Sequence, residues 1–214
     1  MPRIIETTVY TIEELSDGAK ETVRAWYRET CLDYEWYDFV YEDFGTICDI
    51  LGIALRTSAV RLHGGGTRDK PHLYFRGFSF QGDGASFEGA YSYARGAVRR
   101  IRAHAPQDTE LRRIANELQA AQRRNFYQVH ASIRQDRRYC HEYSMAIEVE
   151  RDSPAAQPMT DGAEDTVIEA MRDLARWLYR QLRQEYEHLT SDGTIDEILA
   201  ANEWTFTAGG QRFG

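Results

Sequence analysis

A glycine-rich turn near the middle of the chain places the strongest constraint on its fold. Residues 72–80 alternate so that one face carries bulky aromatic side chains, and a second strand-forming segment follows at residues 85–93. Between them lies Gln-Gly-Asp-Gly at residues 81–84, and glycine adopts the positive φ angles that tight hairpin turns require. We therefore predict a β-hairpin whose turn is residues 81–84.

Further segments show the periodicities of strands and helices. A second hairpin is expected from residues 126–133 and 139–149, joined by the polar residues 134–138. Strands are also predicted at residues 4–11 and 53–60, and a glycine-rich loop at residues 62–71. Helices are predicted at residues 34–51, 94–104, 108–124, 163–189 and 195–201. A further helix, capped by Ser16 and Asp17, continues through Tyr27, and a short strand is predicted at residues 204–207.

The order of these elements predicts the fold class. Strands cluster in hairpins and helices in blocks, without the regular strand–helix alternation of a parallel sheet. We expect an α+β fold, in which an antiparallel sheet built from hairpins is covered by several helices, including one long C-terminal helix. The 214 residues are 42% hydrophobic, enough to bury one sizeable core. A single domain spanning residues 1–214 is therefore expected.

Charge is distributed unevenly along the chain. The net charge is −8, but arginines dominate residues 95–138 while acidic residues dominate residues 1–50 and the C-terminal third. The oppositely charged segments either pair within the molecule or present two faces of opposite potential to partners. The negative net charge argues against direct nucleic-acid binding, although the arginine-rich segment could contact a nucleic acid.

Apolar runs and cysteines bear on the compartment. No segment approaches the ~20 apolar residues that cross a bilayer, and the first residues lack the apolar run of a signal peptide. The three cysteines, Cys31, Cys48 and Cys140, include no C-x-x-C pair, which indicates free thiols in a reducing compartment. The sequence therefore predicts a cytoplasmic protein that is not embedded in a membrane.

The glycine turn also holds the first candidate binding residues. Two glycines flank Asp83, so that backbone amides can converge and the carboxylate can point at a fixed spot. Asp83 and Glu88 could hold a cation there, or Gln81 could hydrogen-bond a ligand. Alternatively, Asp83 accepts hydrogen bonds from the amides of its own turn. The turn lacks the patterns of calcium and phosphate loops, so no cofactor is predicted.

The histidines give a second candidate site. No two histidines are spaced four apart on a predicted helix, but His130 and His141 could lie on adjacent strands with Tyr139 and Glu142 nearby. Such a group could ligate a metal or form a hydrogen-bonded surface cluster, and no metal is predicted. We expect Tyr139 and His141 to contribute to binding.

A catalytic serine motif is incomplete. His-Gly-Gly-Gly at residues 63–66 is similar to the oxyanion loop of esterases, but no G-x-S-x-G accompanies it. No catalytic residue is therefore predicted.

Carboxylates on the predicted helix at residues 34–51 form a third candidate site. They alternate with tyrosines and are Glu35, Asp38, Glu42 and Asp43. Regularly spaced carboxylates can imitate a phosphate backbone and occupy the nucleic-acid groove of another protein. Alternatively, they form a solvated helix face.

Several motifs resemble a family of phage and prophage proteins. They are Gly-Phe-Ser-Phe-Gln-Gly-Asp-Gly-Ala-Ser-Phe-Glu-Gly at residues 77–89, Ala-Pro-Gln-Asp at 105–108, Asn-Phe-Tyr at 125–127, Tyr-Cys-His at 139–141 and Trp-Leu-Tyr-Arg at 177–180. The resemblance, centred on the pattern GFxxQGDGAxFEG, extends over nearly the whole chain. Members are mostly uncharacterised, and some are labelled antitoxins of a toxin–antitoxin stability system. The resemblance carries no catalytic residue.

A phage-related origin implies three hypotheses. The first is an anti-CRISPR-like inhibitor of a bacterial defence system, which binds stoichiometrically to a host nuclease or CRISPR effector complex in the cytoplasm of the host cell. The second is an antitoxin that sequesters a toxin. The third is a small-ligand-binding protein or enzyme that uses the turn Gly82-Asp83-Gly84. A homodimer is compatible with each hypothesis.

Overall fold

The computed structural model describes Arg3 and residues 6–32, 34–136 and 138–213. Within them the helices are α1 (Asp17–Thr30), α2 (Asp38–Leu51), α3 (Ala97–His104), α4 (Thr109–Arg124), α5 (Ala163–Leu189) and α6 (Asp192–Ala201). The strands are β1 (Ile53–Leu55), β2 (Thr57–Arg61), β3 (Thr67–Pro71), β4 (Leu73–Arg76), β5 (Gly84–Phe87), β6 (Gly89–Tyr91), β7 (Val129–Gln135), β8 (Met145–Arg151), β9 (Thr205–Phe206) and β10 (Arg212–Phe213). All ladders between these strands are antiparallel, which confirms the α+β class and the long C-terminal helix.

The residues of the chain group into two compact units. The central unit is Phe39–Leu182, and the terminal unit combines Met1–Asp38 with Arg183–Gly214. Helix α5 contributes residues to both units. A single folding domain for the whole chain stays a prediction.

The core of the central unit lies against a four-stranded sheet. Its strands are ordered β1-β6-β7-β8, and Ala131 and Ile133 of β7 are buried on one face. Apolar residues of α5 recur every three or four positions and are fully buried: Val167, Met171, Leu174, Leu178 and Leu182. This spacing places them along one stripe of the helix, which explains why the helix was predictable.

Three extended segments of the central unit each change partner at a single residue. The segments are β1 with β2, β3 with β4 and β5 with β6, and a single residue separates the two strands of each: Arg56, His72 and Glu88. Strand β1 pairs with β6, β2 with β3 and β4 with β5. The His72 N–H donates to the Arg56 carbonyl at 2.7 Å, Arg56 N–H to Glu88 at 2.9 Å, and Glu88 N–H to His72 at 3.0 Å. This closed ring, which we call the three-strand junction, satisfies the backbone groups where the segments meet.

Both predicted hairpins exist, with different limits. Strands β7 and β8 pair from Val129 opposite Arg151 to Gln135 opposite Met145. Strands β4 and β5 pair as predicted, but the connection spans residues 77–83 rather than a tight turn, and β6 joins the other sheet. Arg137, in the predicted turn of the second hairpin, lies outside the described residues.

The predicted loop at residues 62–71 is partly wrong. Only residues 62–66 form a turn, in which Leu62 N–H donates to Gly66 O at 3.1 Å. The rest is strand β3, which pairs with β2 along its whole length. Its sequence, Thr-Arg-Asp-Lys-Pro, has low strand propensity, so cross-strand pairing and not local preference makes it extended.

The terminal unit has its own small core. It consists of Ile12, Leu15, Ala19, Val23, Tyr27, Ile195, Leu199 and Phe206. Arg24 forms ion pairs with Asp192 and Asp196 at 3.1 and 2.6 Å, so an arginine of the N-terminal segment neutralises part of the negative charge of the C-terminal third. The strand predicted at residues 4–11 is reduced to one bridge between Tyr10 and Phe206, and Ile4 and Ile5 lie outside the described residues.

Candidate functional site

The carboxylate of Asp83 organises its own loop. Its Oδ2 accepts hydrogen bonds from the N–H groups of Ser79 and Phe80, both at 2.8 Å. The Asp83 N–H donates to the Phe80 carbonyl at 3.0 Å. The alternative in which Asp83 binds its own turn amides is therefore confirmed for one oxygen.

The glycines of the turn let a second loop approach closely. Gly82 has φ +100°, and a Cβ there would lie 3.1 Å from the Tyr139 ring. A Cβ on Gly84 would lie 2.6 Å from the Cys140 carbonyl oxygen and 2.7 Å from Cβ of His141. Residues 81–84 and 139–143 are thus packed against each other because two side chains are absent.

We expect Gly84→Ala to lower the free energy of unfolding by about 1–3 kcal/mol, because the added methyl group must displace backbone atoms. Urea unfolding followed by circular dichroism measures the change. Gly64→Ala is the matched control, because nothing lies within 4 Å of a Cβ at that position. Equal stability of the two variants would contradict the packing described.

Hydrogen bonds hold the second loop in place. Gln135 Nε2 donates to the Tyr139 carbonyl at 2.6 Å, and the Ser144 hydroxyl donates to the His141 carbonyl at 2.6 Å. The Tyr143 N–H donates to Nδ1 of His141 at 3.1 Å. Because Nδ1 is an acceptor, the neutral ring carries its proton on Nε2, which is therefore a donor for a ligand.

An open pocket of about 510 Å³ lies between the two loops. Its lining residues are Gln81, Gly82, Asp83, Tyr139, His141, Glu142 and Tyr143. We call it the loop pocket. Four predicted binding residues, Gln81, Asp83, Tyr139 and His141, therefore lie together although nearly sixty residues separate the two loops. Tyr139 is 51% exposed and Tyr143 56%, and Phe80, next to Gln81, is 79% exposed.

Aromatic rings and carboxylates define the chemistry of the loop pocket. The rings of Tyr139 and His141 are stacked, with centroids 6.3 Å apart, and Tyr143 meets His141 edge-on at 6.2 Å. The guanidinium of Arg172 lies 5.1 Å from the centroid of Tyr143. Tyrosine faces beside carboxylates attract cations, so the pocket can accept a cationic group.

Glu88 does not line the loop pocket, so its predicted grouping with Asp83 is wrong. It is buried at the three-strand junction, where Oε2 contacts His72 Nδ1 at 2.7 Å and Oε1 accepts from Gln135 N–H at 3.2 Å. Burial raises the pKa of Glu88, but the hydrogen bonds from His72 and Gln135 and the charge of Arg56 outweigh it. The pKa therefore lies below its usual value.

The acidic candidates do not form one helical face. Asp38, Glu42 and Asp43 lie on α2, but Glu35 precedes the helix, which begins at Asp38. Glu35 and Asp38 belong to the terminal unit, whereas Glu42 and Asp43 belong to the central unit. Asp43 is engaged internally with Nε2 of His104 at 2.8 Å.

The structure separates the two histidines that were expected on adjacent strands. His130 lies on β7 and contacts Glu150 of β8 at 3.3 Å. His141 precedes β8 and caps a short 3-10 turn, Glu142–Ser144. Among the described residues, no group of three or more His, Cys, Asp or Glu side chains could hold a metal ion.

Sequence reasoning missed three residues of interest. Tyr143 alternates with Tyr139 and His141, and this i, i+2 spacing could have placed it on the same side of an extended loop. Ser58 and His72 touch each other, with Ser58 Oγ 2.6 Å from His72 Nε2. No local motif signals that contact, because it depends on the pairing of β2 with β3.

Fold and pocket define an α+β protein that presents an aromatic, carboxylate-lined cleft between two loops. The model of a domain of unknown function, DUF8835, matches residues 36–192. The chain belongs to this family. No curated protein and no solved structure is detectably similar to it. No described helix combines the length and apolar character needed to cross a membrane.

Proposed function

We propose that the protein is encoded by a phage or prophage and inhibits a bacterial defence system by binding stoichiometrically to a host protein, as anti-CRISPR proteins do. The loop pocket is the observation that carries this proposal. It presents Tyr139 and Tyr143 to solvent, and Phe80 is next to its lining residue Gln81; each of these three rings is more than half exposed. Exposed aromatic side chains around a concave site are characteristic of protein interaction hot spots.

The chemistry of the loop pocket favours a partner that inserts an arginine or lysine. The ring of Tyr139 offers a π face to a cation, whereas the ring of Tyr143 already meets the guanidinium of Arg172 at 5.1 Å. Asp83 and Glu142 add negative charge. Proteins that hold nucleic acids present such side chains to phosphates. A nuclease or a CRISPR effector complex in the cytoplasm of the bacterial host is therefore the expected partner.

The test uses a purified, guide-loaded CRISPR effector complex and its cleavage of target DNA. We expect this protein to co-purify with the complex and to reduce cleavage at a one-to-one ratio. Tyr139→Ala should weaken binding about 30-fold, the effect of losing a hot spot of ~2 kcal/mol. Asp83→Asn, which keeps the shape but removes the charge, should weaken it less.

Phe126→Ala is the matched control, since Phe126 is 71% exposed but does not line the loop pocket. It should bind as tightly as the parent. If Tyr139→Ala binds normally while folded, the loop pocket is not the interface. If effector complexes and defence nucleases are neither bound nor inhibited, the proposed function is wrong.

A small ligand is the second candidate, because a volume of about 510 Å³ falls in the range of small-molecule sites. Calorimetry of the purified protein with cationic metabolites would detect it. The antitoxin hypothesis uses the same binding mode, and growth rescue on co-expression with a toxin would distinguish it from inhibition of a defence system.

A further inference from the structure

Three side chains at the three-strand junction form a continuous hydrogen-bonded series. Ser58 Oγ lies 2.6 Å from His72 Nε2, and His72 Nδ1 lies 2.7 Å from Glu88 Oε2. With a proton on Nδ1, the imidazole donates to the carboxylate and accepts from the hydroxyl. This is the relation of nucleophile, base and orienting carboxylate that defines a catalytic triad, which is recognised by geometry and not by sequence order.

The carboxylate of the series is held firmly. Glu88 Oε1 accepts from the Gln135 N–H at 3.2 Å, and Arg56 Nη1 lies 3.4 Å from Oε2. The backbone ring that joins Arg56, His72 and Glu88 holds the backbones of the imidazole and carboxylate residues next to each other. The lowered pKa of Glu88 keeps it ionised at neutral pH, as an orienting group must be.

Exposure increases from the carboxylate to the hydroxyl. The side chain of Glu88 is 10% exposed and that of His72 20%, whereas Ser58 lies on a fully exposed strand. A substrate can therefore reach the hydroxyl while water is kept from the carboxylate. In the ladder Lys70 is directly opposite Ser58, and opposite residues project from the same face, so a cationic side chain shares the face of the sheet that carries the Ser58 hydroxyl.

We infer that Ser58, His72 and Glu88 form a serine hydrolase site for carboxylic esters, independent of the loop pocket. Ser58 Oγ attacks the carbonyl carbon while His72 Nε2 takes the hydroxyl proton. The carbon–oxygen bond of the ester then breaks, and the leaving alcohol takes that proton. Water next attacks the acyl-serine with His72 as base, and release of Ser58 Oγ with the proton yields a carboxylic acid. Glu88 is a positioning residue.

The experiment uses the full chain with a fluorophosphonate probe, intact mass spectrometry and 4-nitrophenyl acetate. We expect a single adduct on Ser58, lost in Ser58→Ala. His72→Gln should slow labelling and hydrolysis about 10²-fold or more. Glu88→Gln should slow both about 10-fold or more, and Glu88→Asp should restore part of the rate, which a purely structural role does not require.

Ser132→Ala is the matched control, because Ser132 also lies on a strand but donates to the carboxylate of Glu148 at 3.3 Å, without an imidazole. It should label like the parent. The inference is overturned if the parent acquires no adduct, if Ser58→Ala is still labelled, or if folded His72→Gln reacts at the parent rate. Ser58 is exposed, so Ser58→Ala tests the site even if His72→Gln does not fold.

Discussion

Phe87→Ala is expected to lower the free energy of unfolding by about 3–5 kcal/mol, the usual cost of truncating a buried phenylalanine. Phe87 is fully buried at the end of β5. Its ring meets Phe44 edge-on with centroids 5.4 Å apart, and Phe44 in turn stacks against Trp177 at 6.4 Å. Removing the ring leaves a cavity between strand and helices that these rigid aromatic neighbours cannot fill.

Urea denaturation followed by circular dichroism measures this loss. Phe80→Ala is the matched control, because Phe80 is 79% exposed and should change stability by less than about 0.5 kcal/mol. Comparable losses in the two variants would show that β5 does not supply the core as described.

Glu88→Ala is expected to lower the free energy of unfolding by about 3 kcal/mol, because it removes the buried carboxylate to which the Gln135 N–H and the largely buried imidazole of His72 are bonded. The carboxylate accepts from Gln135 N–H, and it contacts the imidazole of His72 and the guanidinium of Arg56. Without the carboxylate, the side chains at the three-strand junction lose the group that they all contact. Chemical denaturation measures the effect.

Glu150→Ala is the matched control for Glu88, since Glu150 also pairs with a histidine, His130, at 3.3 Å but its side chain is 76% exposed. Exposed pairs contribute little, so a change within about 0.5 kcal/mol is expected. If Glu88→Ala is as mild as Glu150→Ala, the junction does not depend on its carboxylate.

The same carboxylate makes stability depend on pH. The pKa of Glu88 is lower in the folded protein than its usual value, so folding favours the ionised form. The ionised Glu88 makes its full contribution to the free energy of unfolding above the pKa of about 4.3 that it has in the unfolded chain. That contribution is lost as the pH falls through the lower pKa that Glu88 has in the folded protein. The difference in stability between the parent and Glu88→Gln should therefore narrow between about pH 5 and pH 3.

Local patterns were sufficient for the existence of the helices, although α2 begins at Asp38 and α3 at Ala97, later than the predicted residues 34 and 94. The apolar stripe of α5 predicted its bounds, and the carboxylate of Asp108, at the predicted start of α4, accepts from the Leu111 N–H at 2.8 Å. These signals work because a helix satisfies its backbone within a few residues and buries one stripe. The bonding of Asp83 to amides of its own loop was predictable for the same reason, since these hydrogen bonds reach only four residues back, although the loop spans residues 77–83 and not 81–84.

Long-range pairing decided the rest. Strand β3 was not predicted because its residues have low strand propensity; it is extended because it pairs with β2. Glu88 was predicted to act with Asp83, but at the three-strand junction its carboxylate contacts His72.

The sequence by itself determined the fold class, the existence of the helices and the glycine-rich loop around Asp83, because these depend on periodicity and on glycine. Only the tertiary structure decided that Tyr139 and His141 lie against Gln81 and Asp83, and that Ser58, His72 and Glu88 touch. The physical reason is that strand register is set by the whole buried core and the backbone ring at the junction, which no local segment encodes.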